Sequence, residues 1–153
     1  VTTIAVSLAA CVMAADSRMT VVNETFGTEF AAPCTKLVRF RDWIVGGAGD
    51  NEDILKTFVW WGDRRKRRPR VGKDFEFVAL SRTRLLHIVG NSPPEALRNG
   101  YYAVGTGAHF ALASMTTQAL LGLDPDPRLA VQVACQHDMY STEPVDFLSW
   151  KTT

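Results

Sequence analysis

Cysteine, net charge and long apolar runs are all scarce in this sequence, and each shortage removes a class of protein. The three cysteines, Cys11, Cys34 and Cys135, are odd in number and widely spaced, with no CxxC or finger pattern. A disulfide framework or structural zinc site is therefore not expected, and free thiols in a reducing, cytoplasmic setting are. No stretch reaches the roughly 18 apolar residues of a membrane-spanning helix. A net charge of +1 argues against nucleic acid as the main partner of the whole domain. His87, His109 and His137 lack the paired spacing of metal ligands and read as structural, so no metal is expected. Gly105-Thr106-Gly107 opens a helix, a setting that suits an anion, but it has neither a P-loop lysine nor a full dinucleotide fingerprint. No repeat of about 20–50 residues appears.

What is present suits one globular domain spanning 1–153, with 46% apolar and 22% charged residues. At this length a chain buries about 70% of the surface it exposes when unfolded. The charge is uneven. Six of the seventeen basic residues fall in Arg64-Arg65-Lys66-Arg67-Arg68-Pro69-Arg70, which reads as a solvated loop or as a contact for an acidic neighbour or RNA.

Along the chain, 1–8 and 11–17 read as strands joined by a turn at Ala9-Ala10, the second apolar on both faces. Residues 18–33 are turn-rich and can hold a short edge pair. Residues 35–40 alternate, Asp42 turns the chain, and Trp43-Ile44-Val45 completes a hairpin ending on a Gly46-Gly47-Ala48-Gly49 turn. Asp50 or Asn51 caps a helix reaching about Trp61, with Ile54, Leu55, Phe58 and Trp61 as its buried face. A hairpin follows over 75–81 and 85–90, then a loop to Gly100 and a strand over 101–104. Helices are expected over 108–121 and, after Asp124-Pro125-Asp126-Pro127, to about Asp138, with a last strand over 147–150. Hairpins alternating with helices imply an α+β layered domain.

The first ten residues admit another reading, because Leu8-Ala9-Ala10-Cys11 looks like a lipoprotein signal. Such signals carry a basic n-region. Here no basic residue precedes Arg18, and the alternation of Thr2, Ile4 and Val6 with Thr3, Ala5 and Ser7 favours a strand.

Thr2 carries the chemistry. A hydroxyl on the same residue as a free terminal amine brings nucleophile and base together. The blocks Thr2-Thr3-Ile4, Met13-Ala14-Ala15-Asp16-Ser17-Arg18, Lys36, Val45-Gly46-Gly47-Ala48-Gly49, Val104-Gly105-Thr106-Gly107-Ala108 and Asp138-Met139-Tyr140-Ser141 span nearly the whole chain. Each is weak alone. In this order they resemble the proteasome β-subunit superfamily of N-terminal-nucleophile hydrolases, most closely the bacterial HslV peptidases. The resemblance implies a four-layer αββα sandwich of two antiparallel sheets and a threonine endopeptidase acting on unfolded polypeptides. It implies that Thr2 attacks the scissile carbonyl, with its own amine as base. Lys36 would keep that amine neutral, Asp16 would hold Lys36, and the Gly46 N–H would serve the oxyanion. Asp138 and Ser141 would hydrogen-bond around the threonine, with Thr106 where the family usually has serine. Ile44, Ala48 and Cys34 would line a modest apolar substrate pocket. A homo-oligomeric ring, hexameric or heptameric and possibly stacked, is also implied. So is a partner AAA+ unfoldase that uses ATP, with no cofactor in this chain.

Each residue also has a plainer reading: Asp16 as a turn residue, Lys36 as an edge lysine, the glycines as a tight connection. Three departures from the family pattern stand out. Val1 precedes Thr2, so the amine is free only if Val1 is removed, whether as an initiator or as the end of a propeptide; retained, it makes an inactive ring subunit. The second of two consecutive helices after the glycines is reduced or missing, which exposes Trp60 or Trp61 to a neighbour. The segment between Asp16 and Lys36 is long, with an insertion around Gly27. The remaining alternative is an RNA-binding module working through 64–70.

Overall fold

The computed structural model describes residues 2–23, 28–33 and 36–150. Thr3–Ser7 (β1) and Val12–Asp16 (β2) form the first hairpin, with Cys11 in the turn at φ 54°. The Leu8–Cys11 stretch is thus a β-turn segment here. Arg18–Asn23 (β3) and Thr28–Pro33 (β4) pair as a two-stranded sheet. Leu37–Phe40 (β5), Trp43–Ala48 (β6), Glu76–Leu80 (β7), Leu85–Val89 (β8) and Glu95–Ala96 (β9) make a five-stranded antiparallel sheet in that order. Tyr101–Gly105 (β10) and Val145–Ser149 (β11) flank the first hairpin to give a second sheet, ordered β10-β1-β2-β11. Asn51–Gly62 (α1) lies on the five-stranded sheet, while Ala108–Leu120 (α2) and Pro127–His137 (α3) lie on the four-stranded one. The result is an α+β sandwich of two sheets with helices outside.

The two-residue period of the strands sorts the core into three layers. Ile4, Val6, Met13 and Val104 face Leu37, Ile44, Val78 and Leu80 between the sheets. The alternate residues Ala5, Ala14 and Ala103 meet Ala111, Met115, Ala130 and Ala134 of α2 and α3. These small side chains let the helices approach the sheet closely. On the other side Val45, Phe77, Ala79 and Ile88 lie under Phe58 and Trp61.

Several local expectations need correction. Gly46 and Gly47 are not in a turn: β6 runs through them, and only Gly49 needs a left-handed backbone, at φ 134°. Their glycine character answers crowding instead. A Cβ on Gly46 would sit 3.0 Å from Ile4 Cδ1 and from Leu37 Cδ2, and one on Gly47 would sit 3.2 Å from Ile54 Cγ1. The bridge β9 lies inside the expected 91–100 loop. On α1 the buried set is Thr57, Phe58 and Trp61, whereas Leu55 is 56% exposed. No second helix follows α1; residues 63–75 take an irregular path to β7. Nor does this leave the indoles bare. Trp61 is buried against Trp43 and Phe77, with the Arg64 guanidinium over it at 4.6 Å. Trp60 is half-buried, with Arg68 5.7 Å from its ring.

α3 starts as its sequence dictates. Pro127 occupies the first turn and the Asp126 side chain accepts from Arg128 N–H at 2.9 Å. It ends at Asp138, and that terminus belongs to the site.

Candidate active site

The ladder between β1 and β10 extends one step beyond Thr3 opposite Gly105: the Thr106 N–H donates to the Thr2 carbonyl at 2.8 Å. Thr2 is buried and its backbone fixed by this contact. Gly105 has φ 94°, and a Cβ there would stand 1.7 Å from the Thr2 oxygen, so no other residue fits that approach. A Cβ on Gly107 would lie 2.1 Å from Thr3 Oγ1. Both glycines of the Gly-Thr-Gly motif are therefore explained by the threonines they touch.

By strand alternation Thr2 shares the inter-sheet face of Ile4 and Val6, and Thr3 the face turned to α2 and α3. Two polar networks meet there. In the first, Asp16 Oδ1 accepts from the Thr3 N–H at 2.7 Å and from Lys36 Nζ at 2.8 Å. Asp16 is fully enclosed and Lys36 only 5% exposed, so this ion pair is shut inside the protein. Removing one partner of such a pair leaves an uncompensated buried charge, which costs about 3–5 kcal/mol. Within the long segment between the two residues, the described parts form the β3–β4 pair, while Gly27 lies outside the described residues.

The second network runs through hydroxyls. Ser141 Oγ donates to Asp138 Oδ2 at 2.6 Å, and Thr106 Oγ1 donates to the same oxygen at 2.8 Å. Thr3 Oγ1 lies 2.6 Å from Ser141 Oγ. Because Ser141 has spent its one proton on Asp138, Thr3 must be the donor in that contact. The Tyr140 N–H adds a bond to Asp138 Oδ1 at 3.3 Å. Burial pushes the Asp138 carboxyl up, but the Ser141 and Thr106 hydroxyls and the Tyr140 amide outweigh it and hold it below the ordinary carboxylate range. Nearby, burial first and the Asp16 carboxylate second push the Cys135 thiol up to about 11. It is a poor nucleophile.

Gly46 stands opposite Leu37, at the last rung of the β5–β6 ladder and next to Lys36. The structure thus brings Thr2, Asp16, Lys36, Gly46, Thr106, Asp138 and Ser141 to one end of the sandwich. Ile44 and Ala48, expected in a substrate pocket, are packed in the inter-sheet core and enclosed within the single chain. Cys34 and Val1 lie outside the described residues. Sequence reading missed Thr3, which donates to both networks. Its signal was the Thr2-Thr3 pair itself, since a two-residue period sends adjacent hydroxyls to opposite faces. Among the described residues no group of three His, Cys, Asp or Glu could hold a metal ion. His87 instead pairs with Glu76 at 2.9 Å.

Two antiparallel sheets with helices outside, with Thr2 just before the first strand and a buried Lys36–Asp16 pair near it, make up the architecture of the chain. Solved structures agree on the fold. BPH of Thiobacillus denitrificans in complex with epoxomicin aligns at TM-score 0.67 and 15% identity, over 98% of this chain and 100% of that one. Eukaryotic HslV from Trypanosoma brucei gives 0.68 at 22% identity, over 95% and 97%. The Anbu Gly-1 mutant from Hyphomicrobium sp. strain MC1 gives 0.70 at 12%, over 99% and 82%. No protein-family model and no curated protein matches the sequence. The chain has the HslV-like fold of the proteasome β subunits. Among the described residues no helix is long and apolar enough to cross a membrane.

Proposed function

We propose that the chain is a threonine endopeptidase cutting unfolded polypeptides into short peptides, with Thr2 as nucleophile once Val1 has been removed. The observation that carries this reading is the enclosed Asp16–Lys36 pair, held through Asp16 to the N–H of Thr3, the residue next to Thr2. A buried ammonium disfavours a second positive charge close by and keeps the adjoining terminal amine unprotonated. A terminal amine of pKa near 8 already suits proton transfer at neutral pH. Thr2 Oγ forms a bond to the scissile carbonyl carbon as its proton passes to that amine. The tetrahedral oxygen takes a hydrogen bond from the Gly46 N–H. Collapse breaks the C–N bond, the leaving amine takes the proton, and water hydrolyses the remaining ester. Asp138, Ser141, Thr106 and Thr3 position the strand end. We place the reaction inside a homo-oligomeric ring of six or seven copies in the cytoplasm. Sequestration there protects folded proteins, and an AAA+ unfoldase feeds the chamber using ATP, with no cofactor in this chain.

Intact mass of the native protein followed by a fluorogenic-peptide assay on the same sample tests the proposal. The mature chain should begin at Thr2, and Thr2→Ala should lower turnover by about a thousandfold or more. Epoxomicin, bound in one structural neighbour, should add its mass to the parent and not to the Thr2→Ala chain. A mature chain still carrying Val1, without turnover, identifies an inactive ring subunit instead.

A further inference from the structure

The basic run takes no part in the proposed chemistry, and the structure gives it a different setting from that of a solvated loop. Its path is stitched to the sheet at several points. Arg68 donates to the Ser92 carbonyl at 2.6 Å and to the Gly90 carbonyl at 2.9 Å. Val71 and Asn91 exchange two bonds, at 3.0 and 2.8 Å, and the Gly72 N–H donates to Asp53 at 2.9 Å. The segment is therefore held in place while its charges remain outward. Arg65 pairs with Asp63. Arg64, Lys66, Arg67 and Arg70 are exposed and have no carboxylate partner among the described residues. Beside the run lies a cleft of about 950 Å³ walled by the rings of Phe40, Trp43 and Trp61 and by Arg41, Arg64 and Arg65, with the carboxylates Asp42 and Asp63 also on its lining, the latter paired with Arg65. Arg41 reaches its place from the β5–β6 turn, at φ 49°. Two separate parts of the chain thus bring cations to one aromatic-walled hollow.

We propose that this cleft and the adjoining 64–70 segment bind single-stranded nucleic acid. Fixed cations along the segment match a run of phosphates. The rings of Phe40 and Trp43, both partly exposed, and the Arg64 guanidinium 4.6 Å from the Trp61 ring centroid, offer planar partners for unstacked bases. An acidic polypeptide would satisfy the charges but would leave the aromatic walls unused.

Fluorescence anisotropy of a labelled uridine-rich RNA of about ten nucleotides, on the full chain, tests this. Four neutralised phosphates predict a loss of about 50-fold in affinity between about 50 mM and about 200 mM salt. Arg64→Gln/Lys66→Gln/Arg67→Gln should weaken binding at least tenfold at the lower salt, at about one decade or more for three lost contacts. It should also flatten the salt slope by about two. Tryptophan emission should fall on adding the RNA and not on adding polyglutamate. No binding at the lower salt overturns the proposal, as does equal binding by the triple variant. Polyglutamate binding as tightly as RNA, with tryptophan emission unchanged by either, makes this a site for acidic polypeptides. Peptide hydrolysis is read separately, so this idea and the peptidase assignment can fail independently.

Discussion

The chain contains two charged regions built on opposite plans. At the end of β1 and β2, Asp16 and Lys36 are closed off from water and face each other. Along 64–70 most of the cations stand outside, and of the six only Arg65 has a carboxylate partner among the described residues. In the first region position is set by burial, since any displaced partner leaves a bare charge in the core. In the second, backbone bonds fix the frame while the side chains stay available. The contrast separates charge that organises a site from charge that awaits a ligand.

The largest effect should come from breaking the enclosed pair. Asp16→Ala strands the Lys36 ammonium and releases the Thr3 N–H, so stability measured by chemical denaturation should drop by about 3–5 kcal/mol. A variant within about 1 kcal/mol of the parent would show that water reaches the pair.

A smaller effect is expected at Asp138, whose charge is met by hydroxyls and an amide. Its folded pKa lies below that of the unfolded chain. The stabilisation is therefore complete above the ordinary carboxylate range and is lost as pH falls through the folded value. Asp138→Asn should cost about 1–2 kcal/mol near neutrality. Thermal melts should show that deficit shrinking below about pH 4. A deficit that grows on acidification contradicts the network.

The smallest effect belongs to the outward region. Replacing Arg64, Lys66 and Arg67 together by Gln should change stability by no more than about 0.5 kcal/mol. A larger loss would mean that these side chains support the fold and that the two regions differ less than their burial suggests.

Much of the architecture was legible because strand period and helix spacing are local properties. The β1–β2, β5–β6 and β7–β8 hairpins and all three helices fall within a few residues of the alternation that marks them. What escaped was set by distant parts of the chain. Gly46 and Gly47 looked like turn residues because their neighbours in space, Ile4, Leu37, Met13 and Ile54, are remote in sequence. Leu55 looked buried because a helical stripe does not reveal whether anything packs over it. Ile44 and Ala48 carried no sign of their burial between the two sheets. The candidate site residues were assigned through order along the chain, yet the hydrogen bond from Thr3 to Ser141 spans 138 positions. No local pattern announces such a contact.

The pairing of Thr2 with one face and Thr3 with the other bears on how the chain would have to be matured. A cut one bond too late would still expose a threonine with a free amine, chemically the same pair of groups. That alcohol, however, would point toward the helices and Ser141, away from Ile4 and Gly46. If Thr2 is the nucleophile, as proposed, a product trimmed to Thr3 would present its alcohol to the wrong face of the sheet.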